Sequence, residues 1–247
     1  MNRFKKIVFA AGFILMIPWF VSAQFTESKQ INRRFKITPD TRVEITNKYG
    51  KININTWEKD SVVFNIKIKV EDKKLSRLEK QISGIDFDFI NSQNFVIART
   101  KVGENQSTFE KEVLNFKETV LQADGKIEID FTVWMPKTNQ LKVENKFGDI
   151  YVDDYLGDID INLSNGNLKA HDFGGKTNLK LSFGDATINQ LKTGKLDCNY
   201  SEVYIKNADK LQIVSKSSNF EITEINEINT DSRRDKFRIQ LIDVLVA

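Results

Sequence analysis

Asn145-Lys146-Phe147-Gly148-Asp149-Ile150-Tyr151-Val152 returns as Ser164-Asn165-Gly166-Asn167-Leu168-Lys169-Ala170, then as Ser182-Phe183-Gly184-Asp185-Ala186-Thr187-Ile188. Weaker copies follow around Ser201, Ser218 and Asp235, so the turn falls at 148, 166, 184, 201, 218 and 235, in steps of 18, 18, 17, 17 and 17 residues. A fixed short period of turn plus strand marks a structure built by stacking. Written one beneath another, the copies give apolar columns. Ile150/Leu168/Ala186/Val203/Phe220/Phe237 and Val152/Ala170/Ile188/Ile205/Ile222/Ile239 follow the turn. Ile161/Leu179/Leu196/Ile213 and Leu163/Leu181/Cys198/Ser215 come from the return strand, and Tyr155/Phe173/Leu191/Ala208/Ile225 marks a corner. Residues between the columns, such as Asp149, Asp185 and Glu202, are polar. This predicts an all-β protein with a parallel β-solenoid of 17–18 residues per coil, each coil pairing with the next at roughly 4.8 Å. An antiparallel meander shares the period, but the in-register columns favour the solenoid. Glycine at the turn is expected to supply a positive φ where the chain reverses.

The repeat array spans 141–247. A β-rich region, 24–140, precedes it with irregular spacing. Its strands are read from alternation in Arg42–Thr46, Lys51–Asn55, Val62–Val70, Ile85–Phe89, Asn94–Ala98 and Lys126–Met135. One short helix is expected between Asp72, as N-cap, and Gly84, from Leu75, Leu78 and Ile82 at helical spacing. Trp57 and Trp134 are assigned to the core of this region, and 103–123 is polar and ambiguous.

Residues 1–23 read as a signal peptide. Arg3, Lys5 and Lys6 precede an apolar run from Ile7 to Val21, and Val21-Ser22-Ala23 offers small residues for cleavage between Ala23 and Gln24. The run is shorter than the roughly 20 residues of a spanning helix and contains Pro18, which argues against an uncleaved anchor. No stable transmembrane span is expected once it is removed. The whole chain carries +3, and the leader carries three of those charges with no acid, so the remainder is neutral, 3 − 3 = 0. A nucleic-acid partner is not supported.

One cysteine, Cys198, rules out an intramolecular disulfide and is placed inward by its column. With one histidine and one cysteine, a Cys/His zinc site cannot form. The density of carboxylates around Asp149–Asp160 matches no calcium-loop spacing, so no metal or cofactor is assigned. No catalytic residue is assigned; His171 beside Asp172 has no nucleophile motif around it, and a carbohydrate-active β-helix enzyme reusing Asp149, Asp185 and Glu202 is the third-ranked reading. The candidate binding face is the outward column containing Tyr151, Lys169, Tyr204 and Arg238. The pattern still runs in Leu241, Ile242, Val244, Leu245 and Val246, and a coil begun at Asp235 runs past Ala247. This predicts a shortened product or a terminal edge covered by another chain, including edge-to-edge self-association.

The stretch Asn47-Lys48-Tyr49-Gly50-Lys51-Ile52-Asn53-Ile54, with Trp57-Glu58-Lys59-Asp60, and the later Val133-Trp134-Met135-Pro136 and Leu141–Asp149, resemble exported bacterial adhesin-like domains of β-solenoid type, frequent in Bacteroidota. The resemblance covers most of the chain after the leader and implies a solenoid without established catalytic residues. It implies a non-enzymatic, adhesin-like binding protein of the cell envelope, in the periplasm or on the cell surface, with an envelope protein or glycan as partner. A periplasmic structural or signalling-associated protein docking through its solenoid edge is the alternative.

Overall fold

Parallel pairing decides the architecture. The computed structural model describes residues 24–103 and 125–246, so the proposed leader and its cleavage site at Ala23 lie outside the described residues, as does most of the ambiguous segment. Strands make up 73% of the described residues, and the repeats form a solenoid of about six turns. Strands β8 (Leu141–Lys146) and β9 (Ile150–Val152) make the first coil of the array. They are followed by β10 (Ile159–Ser164), β11 (Leu168–Ser182), β12 (Asp185–Asn199), β13 (Glu202–Lys216), β14 (Asn219–Arg233) and β15 (Lys236–Val246). Each pairs in parallel with the strand one coil away, which excludes the antiparallel meander.

The pairing reproduces the sequence columns position by position: Ile150 lies on Leu168, Leu168 on Ala186, Ala186 on Val203 and Val203 on Phe220. All five side chains are buried, as are Ile161, Leu179, Leu196 and Ile213 on the opposite wall. The change of step from 18 to 17 has a location. Phe173 pairs with Leu191 but Lys176 pairs with Thr193, so Gly174-Gly175 is one residue longer than the corner at Lys192. A further inward column, Ile159/Thr177/Gly194/Leu211/Ile228, escaped the sequence reading because two of its members are not apolar. Burial fades at the last coil, where Thr230 and Ser232 enter the return columns and Leu241, Ile242 and Val244 are exposed.

Strand pairing runs without interruption across residues 140 and 141. Strands β2 (Arg42–Lys48) and β3 (Ile52–Thr56) form a coil that stacks directly on β8 and β9, Asn47 on Asn145 and Ile52 on Ile150. The shared phrase at Asn47 and Asn145 is therefore one turn lying on another. The far edge of this coil pairs in parallel with β6 (Phe95–Val102) and β7 (Lys126–Met135). Antiparallel strands then close the stack: β4 (Ser61–Asp72) on β7, β1 (Phe25–Lys36) on β4, and β5 (Ile85–Asn91) on β6. Phe35, Phe64, Phe87, Phe89 and Phe131 cluster at ring distances of 6.1–6.4 Å beneath this cap. Helix α1 (Leu75–Ser83) packs on it, with Lys74 rather than Asp72 at the N-cap. Asp72 is nevertheless central: its buried carboxylate accepts from the Lys74 N–H at 2.8 Å and from Arg77 at 2.7 Å. Terminal caps of this kind hide a sheet edge that would otherwise pair with other chains.

The turns correct the reading of glycine. The positive φ belongs to the residue before it: Tyr49, Phe147, Asn165, Phe183, Tyr200, Ser217 and Arg234, at 54–67°. Glycine is required by close approach instead. A Cβ on Gly166 would stand 2.2 Å from the carbonyl oxygen of Gly148, and one on Gly184 would stand 1.9 Å from that of Gly166. From Ser201 onward a polar ladder takes over. The Ser201 N–H donates to Ser218 Oγ at 3.2 Å and the Ser218 N–H to Asp235 Oδ1 at 2.6 Å.

Candidate binding surfaces

Two rows of side chains run along the outside of the solenoid, parallel to its axis. The first is the row anticipated on the sheet face. Strand register places Tyr151, Lys169, Thr187, Tyr204, Glu221 and Arg238 one above another. Tyr151 and Tyr204 are three coils apart, roughly 14 Å at the strand spacing, so they do not form one platform. Much of the row is already engaged. The Tyr151 hydroxyl donates to Asp149 at 3.2 Å, and partial burial, reinforced by that carboxylate, holds the phenol above its usual pKa. Arg238 pairs with Glu221 at 3.4 Å. Tyr204 is 40% exposed and lies in an open concavity also lined by Thr187, Glu202, Glu221 and Arg238.

The second row sits on the turn edge. The residues of positive φ stack coil on coil because each donates its N–H one coil onward: Phe147 to Ser164, Asn165 to Ser182 and Phe183 to Asn199, at 3.0–3.1 Å. Tyr49 and Phe147 stack with ring centroids 5.6 Å apart at 7°, and Phe183 and Tyr200 at 5.2 Å and 3°. Asn165 stands between the two pairs. Lysines flank the rings: Lys48 Nζ is 4.9 Å from the Tyr49 centroid, Lys146 5.4 Å from Phe147 and Lys216 5.8 Å from Tyr200. Phe147, Phe183 and Tyr200 are 43%, 59% and 48% exposed.

Fold stability gives only a weak reason for these aromatics. A left-handed backbone costs an L-residue roughly 1–2 kcal/mol, so four such rings cost about 4–8 kcal/mol. Two stacked pairs contribute about 0.5–1.5 kcal/mol each, and three exposed lysine–ring contacts about 0.5–1 kcal/mol each. The sum, about 2.5–6 kcal/mol before any ring burial is counted, is of the same size as the cost, and asparagine or glycine would fit the same backbone with less strain. The sequence carries a signal for this row: an aromatic immediately before the turn glycine at Tyr49, Phe147 and Phe183, preceded by a lysine in the first two.

The other singled-out groups have structural roles. Asp149 Oδ1 accepts the Asn167 N–H at 2.8 Å and Asn167 Oδ1 the Asp185 N–H at 3.0 Å, so the turn carboxylates and amides tie coils together. Among the described residues no three His, Cys, Asp or Glu side chains converge to hold a metal ion. His171 is exposed, 3.6 Å from Asp154. Cys198 is fully buried, and its thiol is pushed up to about 12, first by burial and then by Asp197 and Asp235. The tryptophans depart from the core assignment. Trp134 points outward from β7 and is 41% exposed, its ring tilted at 33° to that of Trp57 with centroids 6.0 Å apart, and Lys59 and Arg34 lie over the Trp57 ring. The alternation of β7 places Val133 and Met135 inward and leaves Trp134 outside.

No protein family matches the sequence, and no curated protein is similar to it. Among solved structures, a candidate cell adhesion protein from Clostridium sporogenes is similar at 9% identity and a TM-score of 0.32, covering 86% of this chain and 100% of that one. A candidate adhesin from Parabacteroides merdae is similar at 14% identity and 0.27, over 88% and 95%. A candidate lipid-binding protein from Parabacteroides distasonis is similar at 10% and 0.29, over 87% and 96%. Likenesses at these values say nothing about what this chain binds.

Proposed function

We propose that this protein is a non-enzymatic, exported, adhesin-like binding protein of the cell envelope, and that its turn edge is the surface that meets the partner. One observation carries the reading: four aromatic rings, three of them strongly exposed, sit at left-handed positions that stability alone would give to glycine or asparagine. Strain retained for so small a structural return points to a functional position. The lysines beside the rings add the mixed apolar and cationic character of a recognition surface. Protease shaving of intact cells of the source organism tests it. Release of fragments of this chain is expected, and complete protection with an intact envelope sinks adhesion.

A second reading, docking through the solenoid edge, is favoured by β15. Among the described residues it pairs with β14 alone, and Leu241, Ile242 and Val244 are 38–61% exposed. A partner strand, from an envelope protein or a second copy, would complete the ladder there. Sedimentation across a concentration series reports the self-associating form, and Ile242→Lys is expected to abolish it.

A further inference from the structure

We infer that the break in the aromatic ladder at Asn165 is a saccharide-binding slot, in which one sugar ring lies between Phe147 and Phe183. The inference rests on reading the turn edge as the binding surface, and it names the ligand class. Stack order places Phe147, Asn165 and Phe183 on three successive coils. The two phenyl rings are therefore two coil spacings apart, roughly 9.6 Å. The Asn165 side chain, shorter than phenylalanine, fills only the inner part of this gap; in the outer part, carbon contacts of about 3.5–4 Å on each side leave about 2 Å for the body of the guest. A flat aromatic ring or nucleobase would lie loose in that space. A puckered ring with C–H groups on both faces fills it and presents those hydrogens to the electron-rich ring faces.

The surroundings suit a polyol. Ser164, Asn165 and Ser182 lie at or immediately before the turn residues of these coils, and their side chains make no hydrogen bond with any described residue. The Asn167 carboxamide uses its oxygen for the Asp185 N–H, and its NH2 makes no hydrogen bond with any described residue. These are short, neutral donors and acceptors held on hydrogen-bonded turns, the groups that ring hydroxyls require. Lys146, whose Nζ stands 5.4 Å from the Phe147 ring, is placed to favour a sugar bearing a carboxylate over a neutral one.

The test uses the purified protein and three probes: cellotetraose, chitotetraose and tetragalacturonate, titrated by calorimetry and followed by proton NMR of the aromatic region. At least one probe is expected to bind and to shift Phe147 and Phe183 resonances. Asn165→Phe fills the gap with a residue that the neighbouring coils already hold at the same φ, 62° and 57°. It should keep the melting temperature and weaken saccharide binding at least about tenfold, as should Phe183→Ala, while Tyr204→Ala on the sheet face leaves it unchanged. Binding that survives Asn165→Phe but is lost in Tyr204→Ala overturns the slot and keeps a binding protein, its ligand on the other row. Failure of all three probes in a chain that shaving shows at the cell surface overturns the saccharide assignment alone. Complete protection from shaving sinks the adhesion reading independently of the titrations.

Discussion

Replacing Gly166 by alanine should destabilise the protein, although the usual arithmetic for such a change predicts the opposite. Gly166 does not have a positive φ, and at such a site Gly→Ala stabilises by about 0.4–1 kcal/mol through the unfolded chain. The added Cβ, however, would lie 2.2 Å from the Gly148 carbonyl oxygen and 2.7 Å from its carbon. Both are backbone atoms within a hydrogen-bonded coil, so no side chain can swing aside. Relief requires the two turns to separate by roughly 1 Å. That stretches the bonds holding them, from the Phe147 N–H to Ser164 at 3.0 Å and from the Ile150 N–H to Asn167 at 2.8 Å, beyond useful length. Two such bonds at about 1 kcal/mol each, plus residual crowding, give a loss of about 2–4 kcal/mol. A domain of this size loses about 2–4 °C per kcal/mol, so the melting temperature should fall by roughly 5–15 °C. Circular dichroism melts of the variant beside Asn165→Gly measure this. The latter substitution relaxes the residue at φ 56° and should move stability by less than about 1 kcal/mol. An unchanged or raised melting temperature for Gly166→Ala would refute close approach as the reason for glycine.

The core carries two more expectations. Thr177 Oγ1 is buried without a partner among the described residues, in the column between Ile159 and Gly194, so Thr177→Val should raise the urea midpoint by the equivalent of about 1–2 kcal/mol at unchanged slope; a lower midpoint contradicts it. The Cys198 thiol, with an ordinary value of 9.0, is raised to about 12 in the fold. Its contribution to stability is therefore complete below pH 9 and is lost as pH climbs toward 12, because the folded state keeps a proton that the unfolded chain has released. Cys198→Ala should flatten the alkaline limb of a stability–pH curve without abolishing it, since burial also raises the Tyr155 phenol; identical limbs would sink the assignment.

What the sequence disclosed was whatever repeats with a side chain of constant character. Ile150, Leu168 and Val203 occupy one column because each coil offers the next the same inward site, and Cys198 could be placed by its neighbours Leu181 and Ser215. Features that depend on the backbone alone were hidden. The turn glycines invite an argument from φ, yet their φ is ordinary and the strain sits one residue earlier, on Phe147 or Tyr200. The spacing stacks Gly148 on Gly166, but it does not show that the turn backbones approach so closely that a Cβ has no room. The cap was only partly visible for a related reason. In β1, Ile31 and Phe35 alone pack on the core, so the strand lacks the alternation that marks a half-buried one. Trp57 and Trp134 were misplaced because large aromatics are expected inside, while the alternation of β7 puts Trp134 outside.

The two outer rows differ in what a ligand would have to displace. On the sheet face, Arg238 is paired with Glu221 and Tyr151 with Asp149, so a ligand must first compete with bonds the protein already makes. On the turn edge, the side chains of Ser164, Asn165 and Ser182 make no hydrogen bond with any described residue, and the rings beside them are exposed. A ligand there exchanges only water. The support is also stiffer than a turn usually offers. The Asn145 carboxamide donates to the Gly50 and Gly148 carbonyls at 2.8 and 2.9 Å, and the turn glycines are in backbone contact from coil to coil. Inward columns fix the coil spacing, the glycine contacts fix the turn, and together they hold each ring of the edge at a set distance from the next. Among the described turn residues of positive φ, Asn165, Ser217 and Arg234 carry no ring, and of these Asn165 alone stands between two ring-bearing coils.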